Sequence, residues 1–342
     1  MSGTPEVRQA ATGRANNAGV GVERWGVQRL DARRSHGERR FRTKGCLHTI
    51  SEGKVEMGTR IGSGRWCGLW AALMVSGAAC EVGSTPEAIQ EPVSSGIDVS
   101  TAELVDLTHA FDAQTIYWPT SPTRFELDTL SYGMTEGGWF YSANLLATPE
   151  HGGTHLDAPV HFSESGQDAA TVPLDRLVGP AVVIDITQQA GADADYRLTV
   201  ADVEAWEAEY GRIEAGSIVL LRTGWSSRWP DAASYLGSAV AGDASNLHFP
   251  SYGEDSARLL VEERDVAVLG ADVASIDYGA SADFIVHRVA AAENVPGLEN
   301  LTNLDALPAR GAWVIALPMK VAGGSGGPLR AIALVPRQGG GT

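Results

Sequence analysis

At 342 residues the chain is long enough for one large domain or two small ones, and its 44% hydrophobic content is ordinary for a protein with a packed core. Charge is divided unevenly: residues 1–56 carry 11 Lys/Arg against 6 Asp/Glu, a balance of +5, whereas the chain from Cys80 onward carries 13 against 36, a balance of −23. So acidic a body argues against nucleic acid and anionic membrane surfaces as partners. With Cys46, Cys67 and Cys80 all ahead of it, it also has no disulfide and no cysteine nucleophile.

Residues 1–56 are rich in Arg, Gly and Ser and lack apolar periodicity, which predicts disorder. Arg60 and Arg65 then precede an apolar run from Trp66 that ends in Gly77-Ala78-Ala79-Cys80. A basic flank, a short apolar core and small residues are the layout of a bacterial secretory signal peptide over 57–80, too short to span a bilayer comfortably. Cys80 stands where a lipoprotein signal carries its lipidated cysteine, although Gly77 replaces the usual leucine. This layout predicts an extracytoplasmic protein with a lipid anchor at Cys80. It also makes Met57 the expected start, with 1–56 a spurious extension or a disordered segment. Residues 81–100 read as a linker and 101–337 as the domain.

Within the domain, Leu104–Thr108, Thr115–Pro119 and Trp139–Ala147 read as extended, as do the apolar runs Pro180–Thr187, Ser217–Thr223, Val266–Gly270, Ala312–Leu317 and Leu329–Val335. Thr199–Tyr210, Glu254–Glu263 and Phe284–Ala292 read as helices, the first opened by Thr199 as N-cap. Strands outnumber helices without strict alternation, which predicts a single α/β domain with a mixed β-sheet and flanking helices. No G-x-G-x-x-G follows a strand and no G-x-S-x-G elbow joins a strand to a helix, so neither a dinucleotide site nor a serine nucleophile is expected.

The chemistry concentrates in His151-Gly152-Gly153-Thr154-His155-Leu156-Asp157-Ala158-Pro159-Val160-His161-Phe162. Three of the chain's eight histidines and one aspartate fall within eleven positions. The glycines and proline oppose a helix. A straight strand from 151 to 161 would run about 33 Å, too far for one site, so the chain must fold back, most plausibly at Gly152-Gly153. Imidazole and carboxylate in this density are ligands for a catalytic divalent metal. Further donors follow at His287, on a short helix, and at Glu299, in an extended segment after Pro296-Gly297.

These residues carry a resemblance. H-x-G-T-H-x-D-x-P-x-H-F over His151–Phe162, and His287 with Glu299-Asn300-Leu301, resemble the motifs of the cyclase family of metal-dependent hydrolases, which includes bacterial kynurenine formamidase and isatin hydrolase. Leu107-Thr108-His109, Val219–Trp225, His248-Phe249-Pro250 and Gly270–Asp277 match as well. The resemblance implies a swivelling β/β/α fold and two divalent ions, zinc or manganese. One would be held by His151, His155 and Asp157, the other by Asp157, His287 and Glu299, with Asp157 bridging. It further implies attack of a metal-bound hydroxide on an amide, with His161 as proton shuttle, and a homodimer or homotetramer. The substrate expected is a small-molecule amide, preferentially a cyclic one such as isatin, because Thr223–Trp229 looks like the isatin-hydrolase side of the family and an extracytoplasmic address suits tryptophan catabolism poorly. An arylformamidase acting on N-formylkynurenine-like substrates is the alternative, and a non-catalytic metal- or ligand-binding surface lipoprotein the one outside enzymology. Trp118, Trp139, Phe140 and Trp225, with Tyr141 and Trp229, are candidates for an aromatic wall around a flat substrate. Asp272 and Asp277 are candidates near the site, the latter more readily a loop cap.

Overall fold

A computed structural model describes residues 98–238 and 240–337. The expectations for residues 1–56, for the signal peptide 57–80 with Cys80, and for nearly all of the linker 81–100 lie outside the described residues. Among the described residues no helix is long and apolar enough to cross a membrane.

In chain order the strands are β1 (Glu103–Asp106), β2 (Glu126–Met134), β3 (Phe140–Ala147), β4 (His155–Asp157), β5 (Val178–Asp185), β6 (Arg197–Leu198), β7 (Ile218–Arg222), β8 (Ser251–Tyr252), β9 (Val268–Ala271), β10 (Gly297–Glu299), β11 (Arg310–Pro318) and β12 (Gly326–Val335). The principal sheet runs β1-β12-β11-β5-β7-β9-β10-β4, and β4 pairs again with β12. The expected mixed α/β domain is present, but its sheet closes: seven strands form a ring, with β1 appended to β12. The closing contact is short. Gly326, Gly327 and Pro328 pair antiparallel with Asp157, Leu156 and His155. A swivelling open sheet is therefore replaced by a barrel, whose closure leaves fewer unpaired edges.

Side-chain alternation divides the core in two. Ala181, Val183, Ile218, Leu220, Val268, Leu298, Val314, Ala331 and Leu156 form one cluster, drawn from every strand of the ring, and fill its interior. The alternate residues Val182, Ile184, Val219, Leu221, Leu269 and Ala271 face outward against the helices Val200–Tyr210, Glu254–Arg258 and Ile285–Ala292. Each fully buried aliphatic side chain contributes about 1.5–3 kcal/mol of transfer free energy, so the apolar runs read from the sequence supply the main stabilisation of both layers.

Several local expectations change. Thr187 begins the helix Thr187–Ala192 instead of ending a strand, and Thr115–Pro119 is irregular. Glu254–Glu263 is helical but widens into π-type turns from Leu259. Thr199 does cap its helix, reciprocally with Asp202, in a capping box. β2 was not expected; it pairs with β3 in a separate hairpin.

Candidate metal centre

The fold brings the five expected donors together. The backbone reverses at Gly152 and Gly153, with φ of 153° and 59°, so His151 returns toward the strand that carries His155 and Asp157. β4 lies between β10 and β12, and its antiparallel register sets His155 directly opposite Glu299. His287 enters from the helix Ile285–Ala292. Two groups result, His151/His155/Asp157 and Asp157/His287/Glu299, each with its donor atoms within 4.8 Å of one another.

Asp157 is common to both groups and divides its oxygens between them. Oδ1 lies 2.6 Å from His151 Nδ1 and 3.1 Å from His155 Nε2, while Oδ2 lies 3.0 Å from His287 Nε2. Glu299 closes the ring, 3.4 Å from His155 and 3.2 Å from His287. The histidines are fixed from behind. His155 Nδ1 donates to Gly153 O at 2.9 Å, and His287 Nδ1 donates to Asp277 Oδ2 at 2.7 Å. Both leave Nε2 facing the carboxylates, in the manner by which outer partners orient metal-ligating imidazoles.

The residues fit a divalent cation. His155 Nε2 is buried and has no hydrogen-bond partner despite the two carboxylates beside it. A buried nitrogen without a partner is costly, and a cation among these oxygens would satisfy it. Burial would push the His155 imidazole down, but Asp157 and Glu299 override it and hold it at about 9. His287 is likewise held well above its usual value against its burial by Asp157, Asp277 and Glu299. Asp157, although buried, is kept well below the carboxylate range by His151 and His155. Protons on the imidazoles thus balance the carboxylates where a cation would otherwise do so.

The donors form the floor of a cavity of about 450 Å³. His161, on a 3-10 turn opened by Pro159, lines it and stacks on His151 with ring centroids 3.9 Å apart. Burial pushes the His161 imidazole down to about 4, so the ring is neutral at pH 7. The walls are Ile116, Trp118, Phe162 and Phe284, with Ser275 and Asn300 at the base. Phe284 sits at φ 51°, a left-handed conformation that is unfavourable for an aromatic residue. That backbone places its ring 5.4 Å from Phe162 and 6.0 Å from Trp118.

Of the expected aromatic wall, only Trp118 lines the cavity. Trp139 and Phe140 are 62% and 56% exposed on the β2–β3 hairpin, as is Tyr141 at 52%, and do not reach it. Trp225 is buried in the core: its indole Nε1–H donates to Tyr235 O, and the Arg228 guanidinium lies 3.4 Å above its ring. Trp229 stacks on His109. Asp272 holds the Thr223-Gly224 turn through Thr223 N, Thr223 Oγ1 and Gly224 N. Asp277 does more than cap a loop, because it accepts from the backbone of Val286 and His287 and also from the His287 ring. His248 is paired with Asp195 away from the cavity. The residues that sequence reasoning missed are Phe162, Phe284, Ser275 and Ile116; Phe162, as the last residue of the histidine motif, and Ser275, inside the matching Gly270–Asp277 segment, carried a signal.

The comparisons with known proteins agree with this geometry. The family model Cyclase, described as "Putative cyclase", matches residues 105–278. An isatin hydrolase from Roseibium aggregatum is 38% identical over 209 residues, 58% of this chain and 77% of that protein. A kynurenine formamidase from Sphingopyxis alaskensis is 29% identical over 234 residues, 66% of this chain and 95% of that one. Among solved structures, an isatin hydrolase bound to the product analogue thioisatinate superposes with a TM-score of 0.64 at 33% identity, over 70% of this chain and 94% of that chain. Isatin hydrolase A from Ralstonia solanacearum gives 0.62 at 35% identity, over 69% and 93%. The chain belongs to the cyclase family of metal-dependent hydrolases.

Proposed function

We propose that this hydrolase opens a cyclic amide of the isatin type, using two divalent cations, zinc or manganese, held by His151/His155/Asp157 and by Asp157/His287/Glu299. The observation that carries the reading is the pair of donor groups sharing Asp157 beneath an aromatic cavity. Imidazole and carboxylate donors suit either metal. Bound there, the cations would supply Lewis acidity, lowering the pKa of water and polarising a carbonyl.

The chain's own residues do the rest. Trp118, Phe162 and Phe284 border a slot suited to a planar ring. Hydrolysis forms a C–O bond, breaks the amide C–N bond and leaves a carboxylate and an aromatic amine. His161 faces the cavity with a neutral ring, so it can take the proton released by the attacking water and give it to the departing nitrogen. The isatin hydrolase relatives support a cyclic substrate over an N-formyl amine, and membership of a hydrolase family speaks against a purely binding role.

The β2–β3 hairpin supports a homodimer. Leu127, Leu130, Tyr132, Met134, Trp139, Phe140, Leu145 and Leu146 are all exposed on it, more apolar surface than a lone hairpin keeps in water. It joins the cavity rim at both ends, between Pro122 and Pro149, so a second copy docked there would lie beside the site. The layout of residues 57–80 supports export and attachment through Cys80, which mass analysis of the membrane-associated protein would test.

The activity is tested by loading purified protein with zinc or manganese and assaying isatin, simple lactams and N-formylkynurenine beside metal analysis. Opening of isatin with two ions bound is expected. Hydrolysis of N-formylkynurenine with the lactams untouched would reverse the substrate assignment.

A further inference from the structure

The three histidines of the donor groups are held from behind by different partners: His155 by a main-chain carbonyl, His287 by a carboxylate, and His151 by a hydroxyl. His151 Nε2 lies 2.8 Å from Ser325 Oγ. His151 also presents Nδ1 to Asp157, not Nε2, and its side chain is 26% exposed against 3% for His155 and 6% for His287. It is therefore the donor whose orientation depends most on what lies behind it.

What lies behind it is specific. Ser325 Oγ donates its one hydrogen to Glu150 Oε2 at 2.6 Å, and Ser325 N donates to the same oxygen at 2.9 Å. A carboxylate oxygen can only accept, so the hydroxyl turns a lone pair toward His151 and accepts the Nε2–H. That leaves Nδ1 as the nitrogen facing Asp157 Oδ1 at 2.6 Å, a contact that needs a proton or a cation between the two atoms. The seat is built for the ring: a Cβ on Gly326 would fall 2.7 Å from His151 Cε1 and 2.5 Å from Leu156 O. Ser325 is carried in from 174 positions away, and its loop is pinned by Ala158 N to Ser325 O at 2.8 Å and Gly323 N to Asp168 Oδ2 at 2.7 Å.

We infer that Ser325 and Glu150 form a two-link clamp that fixes the Nε2–H tautomer of His151 and so sets the cation affinity of the His151/His155/Asp157 group independently of the Asp157/His287/Glu299 group. Both are positioning residues, and the inference rests on the two-cation reading above. Without the clamp the partly exposed ring is free to change tautomer or to slide along its stack with His161, and the first group loses a donor.

The test is titration of metal-free wild type, Ser325→Ala, Ser325→Thr and Glu150→Ala with Zn²⁺ against a chromophoric chelator. It is paired with the visible spectrum of the Co²⁺-loaded proteins and the Tm of the metal-free ones. Outer partners of metal ligands typically control affinity by about 10–100-fold. Ser325→Ala and Glu150→Ala should weaken one of two sites by that factor, alter the Co²⁺ spectrum and leave the metal-free Tm in place, while Ser325→Thr restores the site. Two unchanged sites, or equal weakening of both, overturns the clamp. Wild-type protein that takes up fewer than two ions sinks the two-cation reading instead.

Discussion

Asp277 accepts the Nδ1–H of His287 at 2.7 Å with the same oxygen that accepts the backbone N–H of His287 at 3.1 Å. One carboxylate thus anchors the start of the helix Ile285–Ala292 and turns the imidazole that the helix carries. Asp277→Asn keeps the size but lets the amide donate to Nδ1, which favours the wrong tautomer. We expect affinity in the Asp157/His287/Glu299 group to fall by about 10–100-fold, with a smaller loss of Tm from the weakened helix start. Zinc titration of the variant checks this, and wild-type affinity at both sites would remove Asp277 from the centre.

Asp157 gives one oxygen to each donor group. Asp157→Ala should therefore abolish occupancy of both and reduce turnover to background, whereas His287→Ala should spare the first group. Metal analysis after desalting decides between them. Two retained ions in Asp157→Ala would refute the shared role.

The metal-free centre carries its own pH dependence. Despite burial, His155 is held at about 9 by Asp157 and Glu299, and His287 is held well above its ordinary value by Asp157, Asp277 and Glu299, against an unfolded value near 6.5. Folded values raised in this way stabilise the metal-free protein fully below about pH 6.5, and the contribution of His155 is lost as pH rises through 9. A cation must displace those protons, so its affinity rises over the same range. Chelation should consequently lower Tm least near pH 6 and most near pH 9. Melting of chelated and zinc-loaded protein at three pH values measures it; a chelation effect that does not grow with pH contradicts the assignment.

How much of this was legible in the sequence depends on how local the signal is. His151, His155 and Asp157 stand within seven positions with Gly152-Gly153 between them, so both the donor set and the reversal could be read from chemistry and backbone freedom. His287 and Glu299 followed from the resemblance, and the structure brings both to the same floor. Closure of the barrel could not be read: it rests on Gly326-Gly327-Pro328 against three residues of β4, and a Gly-Gly-Pro run looks like a loop. Ser325 is separated from His151 by 174 positions, and no local pattern announces the pairing. The tryptophans were ambiguous for another reason. An indole suits a cavity wall, an exposed hairpin or a core equally well, and Trp118, Trp139 and Trp225 take one fate each.

The β2–β3 hairpin should be where copies of the chain meet. Tyr132 packs edge-on against Phe140 with centroids 5.2 Å apart, forming an aromatic patch that is exposed on both residues. Trp139→Lys combined with Leu145→Lys places charge on that surface and should shift the protein from dimer to monomer in sedimentation velocity, with the metal-free Tm of the monomer little changed. A wild-type protein that sediments as a monomer at micromolar concentration would overturn the assembly.

Trp118 and Trp225 offer the cleanest separation of site from scaffold. Trp118 lines the cavity, meeting Phe284 at 6.0 Å and Phe249 edge-on at 6.4 Å. Trp118→Ala should raise KM for a planar substrate about ten-fold or more, since one aromatic stacking contact is worth about 0.5–1.5 kcal/mol beyond the area it buries, while Tm shifts little. Trp225, 3% exposed and bonded through its indole to Tyr235 O, belongs to the outer core layer. Trp225→Ala should cost about 3–5 kcal/mol of stability and leave KM of the surviving folded fraction near wild type. Denaturant unfolding and steady-state kinetics on the two variants separate the roles, and a large KM effect from Trp225→Ala without loss of stability would return that residue to the pocket.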